Sequence, residues 1–207
     1  MVNLMTSYPL HIKLENKEAV VIGGGKIAER KINSLLHAGA KVTVVSPALT
    51  ANLEKIANDK ILIWKKMLFH PKHVQTAFIV IAAANDKKVN ALVANSVSHQ
   101  QLINVVDQPE LGNFHVPSVL KRGKLTITVS TEGASPLLAK KIKNELSTLY
   151  DDSYESYLEF LFECRHKIKS FIQDSAYKQQ LLKELLEEKY KNSSEERAAF
   201  LMKLQNK

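Results

Sequence analysis

The 207-residue sequence predicts an α/β protein, with a parallel sheet first, a small α+β region after it and a helical C-terminal part. Three observations lead there. Short β-branched runs alternate with stretches of helical spacing as far as Asp107, the rhythm of a parallel sheet with crossover helices. Two strand-like runs then flank Arg122-Gly123, as in a hairpin. From Asp151 onward there is neither Gly nor Pro, and apolar residues recur at helical intervals.

Taken in order, Glu18–Ile22 (EAVVI) is a buried strand that stops at three glycines. Ile27, Ala28, Ile32, Leu35 and Leu36 then share one helical face, which Gly39 terminates. Lys41–Val45 is a second strand, ended by Ser46-Pro47. Residues 49–58 read as a helix, Ile61–Trp64 as a third strand and Phe78–Ala83 as a fourth. Asp86–Gln100 is helical by spacing, with Val89, Leu92, Val93 and Val97 on one side. Ile103–Val106 makes a fifth strand, ending at Asp107. Phe114–Val119 and Leu125–Thr131 are the hairpin strands, and Ser135-Pro136 suits the N-cap and first position of a helix running to about Tyr150. Beyond Asp151, Leu158, Leu161, Phe162, Ile168, Phe171 and Ile172 are expected to form one apolar surface. Leu181, Leu182, Leu185 and Leu186 are expected to form another.

Composition narrows the class. Hydrophobic residues at 45% and charged residues at 24% are typical of a soluble globular protein. No apolar run approaches the ~20 residues that span a bilayer, so no membrane partner is expected. Met1–Leu10 has neither a charged nor an apolar signal-peptide region, and the single cysteine, Cys164, suits a reducing cytoplasm. The net charge of +8 favours anionic partners. The basic residues are dispersed, however, without the Lys/Arg block or interleaved aromatics of a nucleic-acid binder.

Gly23-x-Gly25-x-x-Ala28 follows the first strand and opens the first helix, the setting of a Rossmann-type phosphate turn. Gly23 allows a tight turn, Gly25 lets the backbone approach a pyrophosphate, and Ala28 lets helix and strand pack closely. Free N–H groups at the helix start would hold the phosphates. The acid that usually grips the adenine ribose is missing, because the second strand ends Val45-Ser46-Pro47-Ala48. Ser46 can bond a ribose hydroxyl, while Lys26 or Lys41 would suit a 2′-phosphate, so these residues leave NAD and NADP both open.

Asp107 lies where open α/β sheets bind their ligands. It fits a proton acceptor, a substrate-orienting group or a turn cap. Ser130–Ser135 (STEGAS) joins strand to helix with hydroxyls and a glycine, suited to carboxylates or phosphates, although Ser135 also serves as a plain cap. His115 is a candidate for a substrate pocket near Asp107. His70-Pro-Lys-His73 lacks companions for a metal, and no metal site is expected. Cys164 has no matched base and reads as a buried small hydrophobe.

Four segments then coincide in order and spacing: Val20–Lys31 (VVIGGGKIAERK), Ala82–Asp86 (AAAND), Asn104–Asp107 (NVVD) leading to Phe114-x-x-Pro117-Ser118, and Val129–Pro136 (VSTEGASP). Together they resemble the precorrin-2 dehydrogenase family of sirohaem biosynthesis, over roughly residues 8–150. The resemblance implies a Rossmann domain over 1–112, a dimerisation region of hairpin plus helix over 113–150, and a helical domain over 151–207. It implies NAD-dependent oxidation of precorrin-2 to sirohydrochlorin by a cytoplasmic homodimer. It assigns Gly23, Gly24, Gly25, Lys26 and Ile27 to the dinucleotide phosphates, Ser46, Pro47 and Ala48 to the adenosine, and Ala83, Ala84 and Asn85 to the nicotinamide side. Asp107 matches the family's catalytic aspartate; His115, Ser130, Thr131, Gly133 and Ser135 are expected at the tetrapyrrole. Some relatives also insert Fe2+, but many have Cys or Ser where this chain has Asn113, so dehydrogenase activity alone is expected and a bifunctional ferrochelatase is the alternative. A non-catalytic dinucleotide-sensing module is another. No methyltransferase module is expected within the sequence.

Overall fold

A computed structural model describes residues 7–205, so the part of the Met1–Leu10 reading that rests on residues 1–6 lies outside the described residues. The chain divides into two compact units, with the boundary between Val116 and Pro117.

The first unit is a five-stranded, all-parallel sheet in the order β3-β2-β1-β4-β5. In chain order it runs β1 (Glu18–Ile22), α1 (Lys26–His37), β2 (Lys41–Val45), α2 (Ala51–Asn58), β3 (Ile63–Lys65), β4 (Ile79–Ala82), α3 (Lys87–Ala94) and β5 (Leu102–Val105). Side-chain alternation divides the core between the two faces. Ala19 and Val21 of β1 pack with Ala28, Ile32 and Leu35 of α1 and Leu53 of α2. Val20 and Ile22 pack on the other face with Val80, Val93, Ile103 and Val105. Strand order reverses between β1 and β4, which leaves a crevice at the carboxyl ends of these two strands.

Three expectations need correction in this unit. The helix proposed over Asp86–Gln100 is only α3, ending at Ala94. The Val97 spacing continues past its end, but Ser96 Oγ donates to Leu92 O, and the Ser98 N–H donates to Gln101 Oε1. Buried Gln101 also donates to Val74 O and Ala77 O, which makes residues 95–101 a loop anchored at its base. The third strand begins at Ile63, with Ile61 exposed before it. Phe114–Pro117 forms no strand; Phe114 instead packs against the sheet's first core and accepts a hydrogen bond from Asn104.

The second unit opens with the antiparallel hairpin β6 (Ser118–Arg122) and β7 (Leu125–Val129), turned at Gly123, whose φ is +52°. Helix α4 (Pro136–Leu149) packs on both strands. Helices α5 (Ser153–Phe171), α6 (Ser175–Glu184), α7 (Glu188–Asn192) and α8 (Ser194–Gln205) follow. Their core is Tyr157, Phe160, Cys164, Ile168, Leu181, Leu185, Tyr190, Phe200 and Leu204, with the Tyr157 hydroxyl donating to Leu185 O. The faces expected here are rotated: Phe162, Phe171 and Leu186 are exposed. Phe162 lies under the Lys124 ammonium instead, 4.3 Å from nitrogen to ring centre. Cys164 is fully buried, as expected, and burial pushes its thiol up to about 12.

Candidate active site

A cavity of about 1170 Å³ occupies the crevice at the β1–β4 switch point. The loops at the strand ends wall it: Gly23–Ile27 after β1, Ser46–Thr50 after β2, Ala83–Lys87 after β4, and Val106-Asp107 after β5. All twelve residues expected at the cofactor or for catalysis in the sheet domain therefore meet around one space.

The glycine turn is held from behind. Gly23 N–H donates to Val45 O, and Gly24 O accepts from Thr50 N–H. Gly23 has φ +115°, and a Cβ there would come within 2.2 Å of Ala83 O. A Cβ on Gly24 would come within 2.2 Å of Ala48 O. These two glycines let three loops close on one another. Gly25 differs: a Cβ there would meet nothing within 4 Å, and this residue is the N-cap of α1 with no side chain bonding the first helical N–H groups. A helix start with uncapped donors and open space beside it fits the pyrophosphate of a dinucleotide. Lys26, at the first helical position, adds a positive charge at the same place. One turn further on, Glu29 accepts from Thr50 and from Asn52, and these two bonds hold its carboxyl below the usual range. Glu29 thereby joins α1 to the start of α2.

The loop after β2 is equally defined. Ser46 is buried and donates from Oγ to Ala48 O at 2.7 Å. A carbonyl can only accept, so the hydroxyl proton is committed and Oγ can only accept from a ligand. Met67, Leu68 and Phe69 supply an apolar wall that sequence reasoning did not include. Only their apolar character could have suggested it.

Asp107 is exposed at its end of the cavity, with Oδ1 accepting from Asn90 Nδ2 at 2.8 Å. Asn90, only 1% exposed, also bonds both backbone groups of Ala84. Sequence reasoning missed Asn90; the available signal was a lone amide one turn before Val93 on an otherwise apolar helix face. Charged side chains lining the cavity are Lys26 and Lys87 against Asp86 and Asp107, so no strong side-chain charge builds up there. The positive end of the α1 dipole adds a local attraction for anions.

His115 is exposed and is not among the residues lining this cavity. Ser130, Thr131, Gly133 and Ser135 belong to the second unit, on the β7–α4 turn. There Ser130 Oγ accepts from Glu132 N–H, Thr131 Oγ1 from Ser135 N–H, and Ser135 Oγ from Leu138 N–H. Each hydroxyl holds the turn through a lone pair, and among the described residues none has an acceptor for its proton. His70 and His73 cap a short turn through their Nδ1 atoms.

Comparison with known proteins agrees with this architecture. Residues 10–118 match a family described as NAD(P)-binding, 122–149 one described as sirohaem biosynthesis protein central, and 154–200 the SirC C-terminal domain. The chain is 34% identical over 198 residues to the precorrin-2 dehydrogenase of Priestia megaterium, covering 96% of this chain and 98% of that protein. It is 37% identical over 159 residues to the precorrin-2 dehydrogenase of Bacillus subtilis, covering 77% and 98%. A solved structure of SirC, precorrin-2 dehydrogenase, superposes with a TM-score of 0.86 at 34% identity, covering 97% of this chain and all of that one. A dinucleotide crevice at the sheet's switch point, joined to similarity over nearly the whole length of these relatives, gives one conclusion: the chain belongs to the precorrin-2 dehydrogenase family.

Proposed function

We propose that this protein oxidises precorrin-2 to sirohydrochlorin with NAD+, and that Asp107 takes the proton released from the macrocycle. The observation that carries the reading is Asp107 beside the dinucleotide crevice, with one oxygen held by Asn90. The reaction removes two hydrogens from the substrate, one as hydride and one as a proton. NAD+, when bound, supplies the hydride acceptor. The chain's own part is to seat the dinucleotide, orient the ring carbon and receive the proton.

Gly23–Ile27 would hold the pyrophosphate, Ser46–Ala48 would flank the adenosine, and Ala83–Asn85 would flank the nicotinamide. The committed proton of Ser46 supports NAD over NADP. Its oxygen can accept from a ribose hydroxyl but offers no donor to a 2′-phosphate. The unused hydroxyl protons of Ser130, Thr131 and Ser135 suit the eight carboxylates of precorrin-2, and His115 is a further candidate contact.

Residues 113–150 are read as a dimerisation region. Val119, Leu137, Leu138 and Leu149 are exposed there, apolar surface that a second copy of the chain would cover. Sedimentation of the purified protein at the mass of two chains is the expected outcome. A cytoplasmic location is read from the family's chemistry; among the described residues no helix is long and apolar enough to cross a membrane.

The test is direct. Purified protein with NAD+ and precorrin-2 should produce NADH and sirohydrochlorin together. Asp107→Ala should retain NAD+ affinity and lose about 100-fold or more in kcat, the contribution of a positioned acid–base group. Near-normal turnover in that variant would remove Asp107 from the chemistry.

A further inference from the structure

The two sides of the crevice, the turn after β4 and the carboxylate after β5, are joined by a single buried side chain. We propose that Asn90 is a positioning residue that fixes Asp107 relative to the nicotinamide side of the dinucleotide seat. This rests on the reading of Asp107 given above.

The orientation of the amide follows from its partners. Ala84 N–H can only donate, so the atom facing it, at 2.9 Å, is Oδ1. Nδ2 must then face the other two partners, Ala84 O at 3.0 Å and Asp107 Oδ1 at 2.8 Å, and both of these only accept. A flipped amide would set oxygen against two oxygens and nitrogen against an N–H. Both Nδ2 protons are therefore assigned, one to the turn and one to the carboxylate. The side chain is 1% exposed, so no water competes for this arrangement.

Two consequences follow. Asp107 cannot rotate without giving up a buried donor, which leaves Oδ2 as the oxygen free to meet a proton. The Ala84 peptide, part of the wall that Ala83–Lys87 present to the cavity, is held by the same side chain. A shift at either end is thus transmitted to the other through one amide. Neither a carboxylate nor an aliphatic residue can do this. Asp at position 90 would face two oxygens with no proton to give, and Leu would leave the Ala84 groups and Asp107 without their partner.

The test is a double-mutant cycle with three readouts: amide hydrogen exchange at Ala84 without cofactor, NAD+ affinity by calorimetry, and kcat at saturating NAD+. Asn90→Ala should speed exchange at Ala84, weaken NAD+ binding and lower kcat about 10–100-fold, as expected for a misplaced reacting group. In an Asp107→Ala background the same substitution should change kcat by less than about twofold, while its effects on exchange and NAD+ persist. Full kcat in Asn90→Ala despite faster exchange would overturn the proposal, because the amide would then hold only the turn. An equal further loss in the Asp107→Ala background would also overturn it. If Asp107→Ala alone keeps normal kcat, the Asp107 reading falls and takes the positioning role with it, a result recognisable because the exchange and affinity effects of Asn90→Ala remain. Should Asn90→Ala not fold, Asn90→Asp, which keeps the shape and the bond to Ala84 N–H, is expected to show the same kcat loss.

Discussion

The protein contains two strand–turn–helix connections suited to anions, and they differ in what they leave for a ligand. The β1–α1 turn is Gly23-Gly24-Gly25, and no side chain caps the helix it opens. The β7–α4 turn is rich in hydroxyls, and Ser135 caps its helix by accepting from Leu138 N–H. The first therefore offers backbone donors and a helix dipole at one point, matched to a pyrophosphate. The second already bonds three backbone N–H groups through its own hydroxyls, the arrangement proposed above to meet substrate carboxylates. The difference teaches that an uncapped helix start keeps a backbone donor for a ligand where a serine-capped one has already used it.

The sharpest way to break this contrast is to give each glycine a methyl group. Gly23→Ala combines φ +115° with a Cβ 2.2 Å from a backbone oxygen. It should destabilise the protein by about 3 kcal/mol or more, measured by denaturant unfolding. Gly133→Ala, at φ +87° but in open space, should cost only about 1 kcal/mol. Gly25→Ala separates stability from function within the first turn. Its Cβ meets no protein atom, so unfolding should change by less than about 1 kcal/mol. NAD+ affinity should nevertheless fall about 10–100-fold, the loss of one charge-assisted hydrogen bond to phosphate. Unchanged affinity in Gly25→Ala would mean that the pyrophosphate does not lie against this turn.

The glycine turn was legible in the sequence because its signal is local: a β-branched run, three glycines and a helical face in succession. Asp107 was legible by its position after a strand. Asn90 was not, since a polar residue in a helix reads as surface until its partners, 6 and 17 residues away, are known. The over-long helix after Asp86 had the same origin, because Val97 keeps the spacing while Gln101 gathers the loop through contacts distant in sequence. In α5, apolar residues occur around much of the circumference, so periodicity could not choose between Phe160, which is buried, and Phe162, which is not. What sequence misses here is pairing across long separations.

The second turn can be probed in the same divided way. Ser135→Ala removes a helix cap and should lower stability by about 1 kcal/mol in thermal unfolding. Ser130→Ala removes an exposed bond within the turn, leaving a Glu132 N–H that water can satisfy, so stability should stay within about 0.5 kcal/mol of the parent. If the hydroxyl protons meet substrate carboxylates, Ser130→Ala should raise KM for precorrin-2 by about tenfold with NAD+ affinity untouched, one hydrogen bond to a charged group. Loss of NAD+ affinity with unchanged KM would reverse the assignment of the two turns.

The smallest expected effect tests how the first turn is kept open. Thr50 bonds both Gly24 O and the Glu29 carboxylate, so α1, its glycine turn and α2 share one fastening. Hydrogen bonds from Thr50, then Asn52, lower the Glu29 pKa from its ordinary 4.5. A carboxyl depressed on folding binds its proton more weakly in the native state than in the unfolded chain. Its contribution is therefore complete above the ordinary value and disappears as pH falls through the lower native one. Glu29 is only half-buried, so the contribution is modest and screened. Unfolding measured from neutral pH into this acid range should show a slightly weaker acid dependence in Glu29→Gln than in the parent. NAD+ affinity at neutral pH should fall a few-fold at most, because glutamine keeps one acceptor for Thr50 or Asn52 but not both.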